Sequence, residues 1–138
     1  EKVIMKRIAI YDRYKLDNGE IPELHGVMIV DCKRKIADRE NELVGEFYDE
    51  CSELVSLKDR PEYTKLYDMC MNGEVDELYV TTLSRISRRM SWITQMCIDM
   101  HECGIKVTFM NEEVTSEQLL NSPVMKGIGD AIEQKMGM

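Results

Sequence analysis

The sequence contains no run of about 18 apolar residues, so no segment is long enough to cross a bilayer as a helix. It opens Glu1-Lys2-Val3-Ile4-Met5-Lys6-Arg7, too charged and too short in its apolar part to read as a secretory signal. It has no Cys-x-x-Cys pair. Its five cysteines (Cys32, Cys51, Cys70, Cys97 and Cys103) are odd in number, and neither His25 nor His101 stands at ligand spacing from any of them. That pattern predicts no zinc site or other metal site. It predicts reduced thiols in a cytoplasmic protein, with Cys32, Cys70 and Cys97 on apolar helix faces. The chain also lacks basic excess: 18 Lys and Arg stand against 26 Asp and Glu, for a net charge of -8. A free-standing nucleic-acid-binding module is therefore disfavoured, while a domain carried to DNA by a neighbouring domain is not. Internal repeats and low-complexity tracts are absent.

What is present fits one α/β domain. The 138 residues can bury roughly two-thirds of their unfolded surface. Val3 to Tyr11 reads as a buried strand. Asp17-Asn18-Gly19 marks a turn. Leu24, Met28, Cys32 and Ile36 recur on one face and predict a helix over 23–39, weakened by Gly26. Leu43 to Tyr48 is a second strand, and Asp49 to Asp59 reads as a loop. Pro61 opens the next helix, with Asp59 as its expected N-cap and Tyr63, Leu66, Tyr67 and Cys70 as its apolar stripe. Asn72-Gly73 ends it. Glu77 to Thr82 is the third strand. A helix from near Met90, marked by Trp92, Ile93, Met96, Cys97 and Met100, stops at Gly104, and Ile105 to Met110 is the fourth strand. Trp92 and the eleven methionines suit packing better than a cofactor site. Asn111 to Asn121 reads as a polar connection. Ser122-Pro123 then starts a helix in which Met125, Ile128, Ile132 and Met136 share a face. The expected architecture has three layers, a mostly parallel central sheet flanked by helices, ending in the start of a long C-terminal helix.

Leu83-Ser84-Arg85-Ile86-Ser87-Arg88-Arg89 is the most informative stretch. No acidic residue occurs between Glu77 and Asp99, which is unusual in so acidic a chain. In parallel sheets, sites form at the carboxyl ends of strands. The segments leaving the first three strands carry Arg13, Arg60, and Arg85 with Arg88. Four guanidinium groups are thereby expected on one rim, which suits a phosphate-bearing ligand. A receiver-type phosphoacceptor is disfavoured, because Thr82 to Ser84 occupies the place where its aspartate would end the third strand.

In order along the chain, Ile8 to Arg13, Tyr48 to Ser52, Asp59 to Tyr63, Asn72 to Val80, Leu83 to Arg88 and Gly104 to Phe109 resemble successive motifs of the serine site-specific recombinases, the resolvase/invertase family. The resemblance covers nearly the whole chain. It implies a catalytic domain over 1–121, the start of a dimerisation or linker helix over 122–138, and a DNA-binding domain further on. It also implies DNA cleavage and rejoining through a 5′-phosphoserine, without a nucleotide cofactor, in dimers that pair into tetramers.

By the same resemblance Arg13, Arg60, Arg85 and Arg88 match the active-site arginines, and Ser52 matches the serine of a Ser-Gly loop. The departures surround the same pocket. Lys15 stands at the nucleophile position, Glu53 replaces the glycine after Ser52, Ser84 replaces an aspartate, and no glutamine lies between Arg13 and Ile36. Lys15 or Tyr14 as a substitute nucleophile is disfavoured. Three readings stay open: an active recombinase domain; a family member without catalysis, kept for dimerisation or for binding DNA phosphate; and a flavodoxin-like domain binding a small phosphorylated ligand. The phosphate grip is expected to be better preserved than the cutting step.

Overall fold

A computed structural model of the chain describes residues 5–37 and 40–123. Five strands, β1 (Lys6–Tyr14), β2 (Asn41–Glu50), β3 (Glu77–Val80), β4 (Lys106–Phe109) and β5 (Val114–Thr115), form one sheet in the order β2-β1-β3-β4-β5. All neighbours run parallel except β4 and β5. Five helices accompany them: α1 (Glu23–Ala37), α2 (Pro61–Met71), α3 (Leu83–Ile86), α4 (Met90–Glu102) and α5 (Ser116–Leu120). This is the expected three-layer, mostly parallel α/β arrangement. Among the described residues, no helix is long and apolar enough to cross a membrane.

The period-2 geometry of the strands distributes the core. Ile8, Ile10 and Tyr79 face one way and pack against Ile29, Cys32 and Ile36 of α1. Ala9, Tyr11, Leu78, Val80, Val107 and Phe109 face the other way, into a larger core with α2 and α4. Chain order makes β1 and β3 neighbours although β2 intervenes in sequence, so a crevice opens where their carboxyl ends diverge. All five cysteines are free thiols. Burial pushes Cys32, Cys70 and Cys97 up to about 12, so they behave as apolar packing groups.

The structure moves several expected boundaries. β1 continues to Tyr14 and β2 to Glu50, because the two pair in register to their ends. Arg13 and Asp49 therefore lie on strands. α1 buries His25, Ile29, Cys32 and Ile36, while Leu24 is 53% exposed. Val27 and Val30 are exposed as well, while His25 joins the buried face through its contact with Asp12. The polar connection over 111–121 contains β5 and α5. α5 starts with a capping box between Thr115 and Gln118, and its buried Ser116 Oγ accepts from Val107 N at 3.0 Å. The turn at Asp17 to Glu20 forms as expected, with Asn18 and Gly19 both at positive φ, the conformation that favours those residues. The helix expected from Ser122, with Met125, Ile128, Ile132 and Met136, lies beyond the described residues after Pro123.

The largest correction concerns the start of α2. Asp59 does not cap it but accepts from Ser56 Oγ, inside a short 3-10 turn. The cap comes from Asp49 at the end of β2, whose carboxylate accepts from Glu62 N and Tyr63 N, both at 2.9 Å. Asp49 also accepts from Tyr11 Oη at 2.9 Å, so one carboxylate ties β1, β2 and α2 together. We predict that Asp49→Ala lowers unfolding free energy by about 3 kcal/mol, the combined cost of a lost cap and unsatisfied buried donors. A denaturant titration showing a loss under about 1 kcal/mol would contradict that role.

Candidate functional site

The site lies at the carboxyl ends of β1 and β3. Successive residues of β1 point to opposite faces, so Asp12 and Tyr14 turn toward α1 while Arg13 turns toward α3 and the segment after β2. β3 ends at Val80, and Thr81 and Thr82 lead into the single turn α3. Glu112, from the segment after β4, holds that turn by accepting from Thr82 Oγ1 and from Leu83 N at 3.2 Å.

Arg13 and Arg85 are brought together. Arg13 Nε donates to the Arg85 carbonyl, and Arg85 Nε donates back to the Arg13 carbonyl at 3.3 Å. Arg13 Nη1 donates to the Cys51 carbonyl at 2.8 Å. The Arg85 guanidinium also approaches Asp12 Oδ2 at 3.6 Å, with only 14% of its side chain exposed. Burial first, and then the nearby Arg60 charge, lowers the Arg13 pKa, with Arg85 acting in the same direction. Two charged groups are thus crowded together and bonded mostly to neutral carbonyl oxygens. An arriving oxyanion offers stronger, charge-assisted acceptors and relieves the repulsion.

Arg60 and Arg88 are placed differently. Arg60 is fully buried. It donates to the carbonyls of Val55 at 3.0 Å, Glu53 at 3.3 Å and Ile86 at 2.7 Å, and reaches Tyr11 Oη at 3.5 Å. These bonds clamp the segment after β2 onto the end of α3, with the Arg60 charge near Arg13. Burial holds the Tyr11 phenol protonated, so the Arg60 charge sits beside a neutral hydroxyl. Arg88 points outward: its side chain is 84% exposed and stands 3.5 Å from Glu53 Oε2. Neighbouring Arg89 lies over the Trp92 ring at 4.6 Å.

Lys15 is the first residue past β1 and is exposed. Tyr14 is half-buried, its ring 4.7 Å from that of His25. Ser52 Oγ accepts from Leu54 N at 3.1 Å, a serine turn within the loop. Ser84 is exposed on α3.

One buried cluster was missed in the sequence. Asp12 Oδ1 accepts from Thr81 Oγ1 at 2.5 Å, and Asp12 Oδ2 is bonded to His25 Nδ1. Tyr14 and Tyr48 flank the imidazole. The available signal was a polar residue in each of two apolar patterns: Asp12 at the end of a buried strand, and His25 on the inner face of α1. Among the described residues, no group of three or more His, Cys, Asp or Glu side chains could hold a metal ion.

The fold and the rim define an α/β domain with an arginine site at its sheet's carboxyl edge. The family model for the resolvase N-terminal domain matches residues 27–134, and the chain belongs to that family. The matched span begins inside α1, so β1 with Arg13 and Lys15 lies outside it. Solved structures share the fold over nearly the whole chain. The N-terminal catalytic domain of TP901-1 integrase is 19% identical at a TM-score of 0.71, covering 96% of this chain and 98% of that one. A resolvase family site-specific recombinase from Streptococcus pneumoniae is 16% identical at a TM-score of 0.66, covering 95% and 87%. The C-terminal catalytic domain of ISC1926 TnpA, an IS607-like serine recombinase, is 17% identical at 0.64, covering 96% and 99%. No curated protein matches the chain.

The geometry separates the arginines by what their removal costs. Arg60→Ala leaves three carbonyls without their donor and is expected to cost about 4 kcal/mol. Arg88→Ala is expected to stay within about 0.5 kcal/mol of the parent, as for other exposed side chains. Thermal and denaturant unfolding of both variants checks this, and equal costs would contradict it.

Proposed function

We propose that this domain grips a DNA backbone phosphate at the carboxyl rim of its sheet, as the recombinase-type domain of a longer protein, without performing serine-dependent strand cleavage. Arg13 and Arg85 take the phosphate, and Arg88 supplies an outer contact. Arg60 serves the grip by holding Glu53, Val55 and Ile86 in place. The observation that carries this reading is the pairing of Arg13 with Arg85, whose donors rest mainly on neutral carbonyls at the ends of β1 and α3. Exchanging such acceptors for a phosphate replaces ordinary hydrogen bonds by charge-assisted ones. A net charge of -8 disfavours binding DNA unaided, so delivery by a DNA-binding domain belongs to the same proposal, as does a dimer or tetramer formed through the helix expected from Ser122.

Cleavage is left out because Lys15, not serine, occupies the position that the family resemblance gives to the nucleophile. Lys15 stands where the family's serine is expected, and phosphoramidate chemistry from an exposed, well-solvated ammonium is unfavourable. Ser52 has its Oγ committed to the Leu54 amide. The rim retains arginines suited to holding a phosphate, while the resemblance-matched nucleophile position is lysine.

The test uses the full-length chain with a DNA duplex. The parent is expected to bind duplex DNA and give no covalent protein–DNA adduct after denaturation. Arg85→Ala is expected to weaken binding about tenfold and to reduce the salt dependence by about one phosphate contact. An adduct mapping to a serine would overturn the non-cutting reading. Strong stabilisation by small phosphorylated compounds, with none by DNA, would overturn the DNA assignment.

A further inference from the structure

The Asp12 carboxylate has no exposed surface and faces three donors. Thr81 Oγ1 bonds Oδ1, while His25 Nδ1 and the Arg85 guanidinium address the same atom, Oδ2. The two partners at Oδ2 are unequal. His25 is in direct hydrogen-bond contact. Arg85, at 3.6 Å, is beyond hydrogen-bond length and interacts through charge alone. Because an ionised carboxylate offers only acceptors, Nδ1 carries the proton. Nε2 has no hydrogen-bond partner among the described residues, and the ring lines the groove beside α1.

His25 is built into this position. It lies in the first turn of α1, with 11% of its side chain exposed. Tyr14 lies against one side of the ring at 4.7 Å, and Tyr48 meets it edge-on at 4.9 Å. Tyr48 is itself fixed by a 2.6 Å hydrogen bond from its hydroxyl to Glu46. The imidazole therefore serves Asp12 from a seat between two rings, whereas Arg85 sits on the single turn α3 and also donates from Nε to the Arg13 carbonyl.

We propose that the Asp12–His25 pair sets how free Arg85 is to take a phosphate, which makes His25 a positioning residue of the site. The proposal rests on the reading of Arg85 as a phosphate ligand. A buried carboxylate must be compensated. While His25 supplies the close hydrogen bond, Arg85 stays the looser partner and its guanidinium remains available at the rim. Without that bond, Arg85 is the partner left at Oδ2, and Asp12 draws it inward and out of reach of ligand.

The test measures binding of a fluorescent, mixed-sequence DNA duplex to the full-length chain at fixed salt. His25→Phe keeps a ring between Tyr14 and Tyr48 but removes the donor, and is expected to weaken binding about tenfold. His25→Gln keeps an N–H donor and should recover most of the loss. Adding Asp12→Asn to His25→Phe removes the charge that captures Arg85, and should restore binding. A merely structural role for His25 would lower stability without suppression by Asp12→Asn. If Arg85→Ala weakens binding while His25→Phe does not, the proposal fails and the reading of Arg85 stands. If Arg85→Ala also leaves binding unchanged, that reading fails as well. Should His25→Phe not fold, the near-isosteric Asp12→Asn alone decides: tighter binding supports the proposal, and unchanged or weaker binding overturns it.

Discussion

One buried guanidinium holds the rim of this domain together. Arg60 is fully buried and makes no ion pair with a carboxylate among the described residues. Its charge is spread over the carbonyls of Glu53, Val55 and Ile86 and over the Tyr11 hydroxyl. Those acceptors belong to three separate pieces of chain: β1, the segment after β2, and the end of α3. Removing so many donors from a dry interior leaves each acceptor unsatisfied, so the three pieces move as one or not at all. Asp49 extends the same network by accepting from Tyr11 and capping α2. Arg13 and Arg85 rest on this platform, and their mutual carbonyl bonds depend on the positions it fixes.

The site therefore divides into a floor and a grip. The floor, Arg60 with Tyr11 and Asp49, is saturated and buried. The grip, Arg13 and Arg85, carries charge that neutral carbonyls only partly compensate and that burial and mutual repulsion disfavour. Exchange of such carbonyl acceptors for an anionic oxygen would strengthen those hydrogen bonds. Asp12 Oδ2 is shared between His25, in direct contact, and the Arg85 guanidinium at 3.6 Å.

Much of the fold was legible in the sequence because its signals are local. The apolar run Leu78-Tyr79-Val80, the turn at Asn18-Gly19, and the stops at Gly73 and Gly104 each act within a few residues. Signals that depend on distant partners were not legible. Asp59 is the nearer candidate to cap α2, yet Asp49 reaches the helix because β2 ends beside it. His25 joins the inner face of α1 through a contact with Asp12, thirteen positions earlier in the chain. β5 has two residues, too few to show a period. Type and position single out the arginines in the sequence, but they do not tell a guanidinium that is buried among carbonyls from one nearer the surface. Only burial distinguishes Arg60 from Arg13 and Arg85.

The central claim is that Arg13 and Arg85 exchange partners when phosphate arrives while Arg60 does not. Arginine Nε–Hε resonances, followed by NMR during titration with duplex DNA, report this directly. The account predicts that the Arg13 and Arg85 signals shift together with saturation and that the Arg60 signal stays in place, protected from solvent exchange throughout. A shift at Arg60 with unmoved Arg13 and Arg85 would contradict it.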